Sequence, residues 1–80
     1  MRDPNTATAQ RARILDALSR DSLTTLEARR LLDVLHPAAR IMELRRQGIN
    51  IVTVWTTDTT PEGNAHRVAR YILRKSEVAR

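Results

Sequence analysis

The sequence predicts an α+β fold, three helices followed by a two-stranded β-hairpin. Apolar residues recur at helical spacing through the first half of the 80-residue chain. A third periodic segment is bracketed by Pro37 at its start and Gly48 just past its end, the positions those residues favour. Beyond Gly48 the composition turns β-branched, and Pro61-Glu62-Gly63-Asn64 splits it into two strand-length runs.

Residues 1–7, with Pro4, read as a flexible N-terminal tail. The first helix is expected over Thr8–Arg20. Ala12, Leu15 and Leu18, with Ile14 beside them, form its apolar stripe, and Arg11, Arg13 and Asp16 lie off it. Asp21-Ser22 breaks the pattern. Thr24-Thr25-Leu26-Glu27 then has capping-box spacing: the Thr24 hydroxyl can accept from the Glu27 N–H while the Glu27 carboxylate accepts from the Thr24 N–H. This opens a second helix, about Thr25 to Asp33, whose buried side is expected to be Leu26 or Ala28 with Leu31 and Leu32. So short a helix needs neighbours to hold it.

Val34-Leu35-His36-Pro37 interrupts, because a residue before proline avoids helical backbone. Helix three therefore starts at Pro37, with His36 as an imperfect cap, and runs to about Gln47. The link is as short as a helix-turn-helix requires. On a helical wheel Ile41 and Leu44 point to the core, with Ala38 and part of Met42 at its edge. Ala39, Glu43 and Arg46 fall opposite, flanked by Arg40 and Gln47. The strands are expected at Ile49–Thr57 and Ala65–Leu73. The second alternates Arg67, Ala69, Tyr71 and Leu73 on one face with Val68, Arg70 and Ile72 on the other. A lone hairpin is unstable in water, so it must fold back on the helices as one domain over 8–74. Residues 75–80 read as a C-terminal tail.

Composition limits the chemistry. With no cysteine, disulfides, thiolate zinc sites and Cys nucleophiles are excluded. His36 and His66 are too few for a metal site or acid–base pair without clustered carboxylates. Gly48 and Gly63 are the only glycines, so no glycine-rich phosphate loop exists. Neither an enzyme nor a cofactor is expected. No apolar run spans a bilayer and the N-terminus lacks a secretory stretch, so no membrane partner and a cytoplasmic location are expected.

The net charge is +5 with a pI near 11.3, and every basic residue but Lys75 is arginine. Arginine presents a planar fork of donors suited to phosphate and guanine edges. The excess is concentrated: residues 36–46 carry +2 and residues 66–75 carry +4, while residues 47–65 carry −2. An evenly solvated surface is not distributed that way. Nucleic acid is the expected partner class.

The run Ile41-x-x-Leu44-x-x-x-Gly48-Ile49, closing a helix and opening a hairpin, resembles the winged helix-turn-helix DNA-binding domain. His36-Pro37-Ala38-Ala39-Arg40, Glu43-Leu44-Arg45, Gly48, Ile51-Val52-Thr53 and His66-Arg67-Val68-Ala69-Arg70-Tyr71 are similar to a small helix-turn-helix family of phage and prophage proteins. The likeness covers roughly residues 10–73. It implies that helix three enters the major groove and that the hairpin, the wing, lies on the backbone or in the minor groove. The sequence departs from a typical wing in carrying Asp58 and Glu62 at the tip and no basic residue in the first strand. Contact through the second strand is favoured over a deeply inserted tip.

On that fold Arg40 and Arg46 reach guanine edges or phosphate, or else pair with Glu43 at helical spacing. Glu43 can accept from a cytosine amino group. Ala39 shares the outer strip, Gln47 can hydrogen-bond a base, and His36 stands at the helix entrance. Thr24 and Thr25 present helix-start donors to a phosphate, or simply cap. Arg67 and Arg70 lie on opposite faces of one strand, so one is expected to pair with an acid, Asp33 or Glu27, and one to meet phosphate. Arg74 and Lys75 add non-specific attraction. Trp55 and Tyr71 read as core or hairpin anchors, though an exposed Trp55 could stack a base or a partner's side chain.

The expected function is double-stranded DNA binding by a small regulator, with a homodimer or partner protein supplying the base pairs one module cannot read. The alternative is a protein-interaction module that docks on a host polymerase or nuclease through Trp55, Val52 or Val54.

Overall fold

The computed structural model describes residues 5–74. Thr6 opens the first helix, α1 (Ala7–Leu18), its hydroxyl accepting from the Ala9 N–H at 3.1 Å. The helix thus begins within the expected tail, and Asn5 is tied to it by the side chains of Gln10 and Arg13. The chain continues through β1 (Leu23–Thr24), α2 (Thr25–Leu31), α3 (Pro37–Arg46), β2 (Ile51–Thr59) and β3 (Ala65–Leu73).

The expected hairpin is one part of a three-stranded antiparallel sheet ordered β1-β3-β2. Leu23 pairs with Tyr71 and Thr24 with Arg70. The sequence concealed this strand because two residues are too few to show alternation, and the second is also the cap of α2. β2 and β3 pair from Ile51–Leu73 to Thr59–Ala65. β2 starts and ends two residues later than expected, so Asp58 belongs to the strand rather than the turn. Thr60 and Asn64 close the turn, where Gly63 takes the left-handed φ of 92°.

The core gathers Ile14 and Leu18 from α1, Ala28 from α2, Ile41 and Leu44 from α3, and Leu23, Ile51 and Tyr71 from the sheet. Fully burying one of its isoleucine or leucine side chains contributes about 1.5–3 kcal/mol. The α1 stripe differs from expectation: Ile14 and Leu18 are buried, Leu15 is half-buried and Ala12 is exposed. The helix is rolled so that Arg11, expected off the stripe, turns partly inward toward α3.

α2 ends two residues early, at Leu31, with Leu32 as its C-cap. The N–H groups of Leu32 and Val34 both donate to the Ala28 carbonyl, at 3.1 and 3.2 Å. Asp33 adopts a φ of 57°, which a short polar residue tolerates, and the reversal buries Val34 completely. Two turns of helix bury only Ala28 fully. Leu31, expected inside, is 68% exposed.

α3 follows expectation more closely. Pro37, Ile41 and Leu44 are buried, and His36 caps without a side-chain hydrogen bond. Gly48, at φ 95°, donates to the Arg45 carbonyl and turns the chain into β2.

Candidate nucleic-acid interface

The outer strip of α3 is set by what α1 and β2 take from it. Glu43 accepts from Arg11 Nη1 at 2.8 Å and from Arg40 Nη2 at 2.9 Å. The Arg11 hydrogen bond, with further help from Arg40, holds its carboxyl below the ordinary value. Ala39, Arg40 and Glu43 are half-buried on the side of α3 that faces α1. The exposed strip is therefore Ala38, Met42, Arg45, Arg46 and Gln47, rotated from the expected one centred on Ala39, Glu43 and Arg46. The rotation follows from Arg11, which recruits Glu43 across 32 residues of sequence.

The arginines of α3 consequently have different surroundings. Arg40 is engaged by Glu43, and its buried Nε has no acceptor. Arg45 is exposed and donates from Nε to the Ile51 carbonyl and from Nη2 to the Thr53 hydroxyl, each at 2.8 Å. Arg46 has only Met42 Sδ beside it, at 3.5 Å, and among the described residues no carboxylate neutralises it. Met42 itself is 51% exposed. His36 and Gln47 are exposed at the two ends of the helix.

Thr24 is buried, and both its polar groups are engaged. Its N–H donates to Glu27 Oε1, and its hydroxyl accepts from the Glu27 N–H while donating to Asp58 Oδ2. The capping role holds, and the burial leaves no surface of Thr24 for a phosphate. The half-buried Thr25 directs its hydroxyl at the Ala69 carbonyl, 3.4 Å away. Asp58 has its carboxyl lowered chiefly by the Thr59 N–H, then by the Thr24 hydroxyl, with Arg30 and Arg70 adding attraction. The acid that should weaken a DNA-binding wing is thus held against the start of α2.

On β3, neither arginine pairs with Asp33 or Glu27. Arg70 donates to the Ser22 hydroxyl at 2.7 Å, and Arg67 lies over the Trp55 ring, 5.3 Å from its centroid. A two-residue offset in the register puts Arg67 and Trp55 on the same sheet face, with Arg70 on the other. Trp55 is 59% exposed, which removes the core alternative for it, whereas Tyr71 is buried. Arg74 is exposed at the end of β3, and Lys75 lies outside the described residues. Between the hairpin, α2 and Ala38 of α3 opens a groove of ≈ 580 Å³, lined in part by Leu26, Arg29, Trp55, His66 and Arg67.

A helix pair, a tight turn and an antiparallel hairpin are thus in place, and a family model described as a winged helix-turn-helix domain matches residues 9–76. The chain belongs to this family. No curated protein and no solved structure matches it. In this winged helix-turn-helix chain, a tight turn joins α2 to α3, and β2 and β3 form a hairpin within the three-stranded sheet. A domain of this family points to DNA binding in general. No helix of the described residues is long and apolar enough to cross a membrane. Sequence reasoning placed Met42 at the core edge and gave Arg29 no part. The periodicity of α3 could have moved Met42 outward only if the direction of α1 had been known.

Proposed function

We propose that the protein binds double-stranded DNA as a small transcriptional regulator, with α3 in the major groove. The observation that carries the reading is Arg46: exposed on α3, beside Met42, with no carboxylate among the described residues to neutralise it. Such a guanidinium can take guanine O6 and N7 or a phosphate, while Met42 offers apolar contact to a thymine methyl. Gln47 and His36 extend the same exposed rod. Arg67 and Arg74 of the basic segment 66–75 meet the backbone, whereas Arg40 and Glu43 serve mainly to set α3 against α1. The likeness to phage and prophage proteins favours a regulator of that origin, working in the cytoplasm of a bacterial or infected cell.

One module reads few base pairs, so a homodimer on a palindrome is part of the proposal. Selection from a random duplex library tests it. An enriched palindrome gives target and symmetry together, and a library that stays random contradicts the reading.

A specific observation favours a second reading as a protein-contact module. Leu31 and Leu35, at the end of α2 and in the following loop, are each 68% exposed. Large exposed apolar side chains mark contact surfaces when they cluster. Trp55 and Val54 are exposed too, but as neighbours in β2 they point to opposite sheet faces. Capture of a host protein from nuclease-treated lysate, lost on Leu31→Ser with Leu35→Ser, supports this reading.

A further inference from the structure

From the groove between the wing and the helix pair we infer a binding site for an unpaired nucleotide of a single strand, its base against Trp55 and its phosphate at Arg29 and Arg67. The inference is independent of the major-groove reading except that both need DNA to be the partner.

Three features point the same way. The first is Trp55, which has no place in the core. It remains 59% exposed although Arg67 already covers part of its ring. Aromatic rings exposed in a groove are stacking platforms, and every base has a face to offer them. Guanidinium, indole and base then form a three-layer stack in which the cation also strengthens the ring's hold.

The second is charge. Arg29 and Arg67 are the charged side chains among the residues lining the groove, and no carboxylate is among them. Asp58, the nearby acid of the wing, is turned to Thr24 instead. Arg29 keeps its Nε on the Leu35 carbonyl, at 3.2 Å, which fixes the guanidinium while leaving its terminal nitrogens as donors. A phosphodiester is the anion that arrives attached to a flat ring.

The third is shape. Leu26, Ala38 and Ala69 line it as apolar residues, and the groove of ≈ 580 Å³ falls within the range of small-ligand sites. A paired base in a duplex cannot present its face there, because its neighbours in the stack cover it. A base in a frayed end, bulge or single strand can. The groove therefore adds a preference for unpaired DNA to whatever α3 reads.

Trp55 is the only tryptophan in the chain, so its fluorescence reports this groove directly. The test titrates the full chain with oligothymidylate, with a blunt duplex of equal length, and with thymidine monophosphate. The expected result is strong quenching by the single strand and little by the duplex or the free nucleotide at equal nucleotide concentration. With a labelled strand followed by anisotropy, Trp55→Ala should weaken single-strand affinity about 5- to 150-fold, and Trp55→Phe should retain most of it. Trp55→Leu, which keeps bulk without a ring to stack, covers the case in which the alanine variant fails to fold. Quenching by the mononucleotide equal to that by the strand overturns the proposal, as does single-strand affinity that Trp55→Leu leaves unchanged. Duplex binding without any single-strand quenching overturns this inference while leaving the α3 reading standing. Binding to neither form removes both.

Discussion

The Thr24 hydroxyl donates to Asp58 Oδ2 at 3.0 Å, joining the start of α2 to the wing across 34 residues of sequence. The same hydroxyl accepts from the Glu27 N–H at 3.1 Å, so one buried oxygen both caps a helix and anchors a hairpin. The link also turns the acid of the hairpin toward the fold.

Thr24→Ala removes the cap and the wing anchor together. A lost cap costs about 1 kcal/mol and a lost net hydrogen bond about as much, so the variant should be less stable by roughly 1–3 kcal/mol. Thr24→Ser keeps both bonds and should lose much less. Urea unfolding followed by circular dichroism compares them, and equal midpoints for Ser and Ala variants would contradict the role given to the hydroxyl.

Acid should weaken the fold through Asp58 and Glu43. Both carboxyls are lowered in the folded protein, Asp58 chiefly by the Thr59 N–H and Glu43 chiefly by Arg11. Groups lowered on folding bind fewer protons than in the unfolded chain, so their stabilisation is fully present above the ordinary carboxylate range, about pH 4. It is lost as pH falls through their lowered values. A double variant, Asp58→Asn with Glu43→Gln, should be less stable at neutral pH and show a shallower loss in acid. Unfolding midpoints across that range check this, and an unchanged acid slope counts against it.

Arg40 and Arg46 should separate cleanly. Arg46→Ala should leave the unfolding midpoint nearly unchanged and weaken duplex binding by about 1–3 kcal/mol if the contact is to a base. Arg40→Ala should lower the midpoint, because Glu43 keeps only Arg11, and should alter duplex binding mainly through lost folded protein. Paired unfolding and anisotropy measurements decide it.

Gly48→Ala isolates a backbone effect. Nothing lies within 4 Å of the added methyl, so no clash is created, but φ is +95°. The variant should be destabilised by about 1–2 kcal/mol with duplex binding by the folded protein retained. Thermal unfolding with anisotropy below the transition reads both.

Much of this was legible because local signals were strong. Thr24 and Glu27 at capping-box spacing, Pro37 opening α3, Gly48 closing it, and the β-branched runs fixed the elements to within a residue or two. What was hidden depended on distant partners. The outer face of α3 could not be read without Arg11, since wheel geometry gives the buried side but not which neighbour covers each flank. β1 was too short for periodicity. Leu31 obeyed a helical pattern in a helix that stopped at two turns. Residue type alone leaves Trp55 as a core or hairpin anchor or an exposed ring, and only its place in β2 shows that it reaches past the helices into a groove no linear pattern displays.

The proposal that α3 meets DNA through an unneutralised Arg46 is tested most directly by the salt dependence of duplex binding, measured by anisotropy for the natural chain and Arg46→Ala. Counterion release predicts affinity that falls linearly with salt on logarithmic axes. If Arg46 contacts a phosphate, its removal should reduce that slope by about one; if it contacts a base edge, affinity for the selected site falls with the slope retained. Absence of duplex binding at low salt, or an Arg46→Ala titration superimposable on that of the natural chain, would contradict the account.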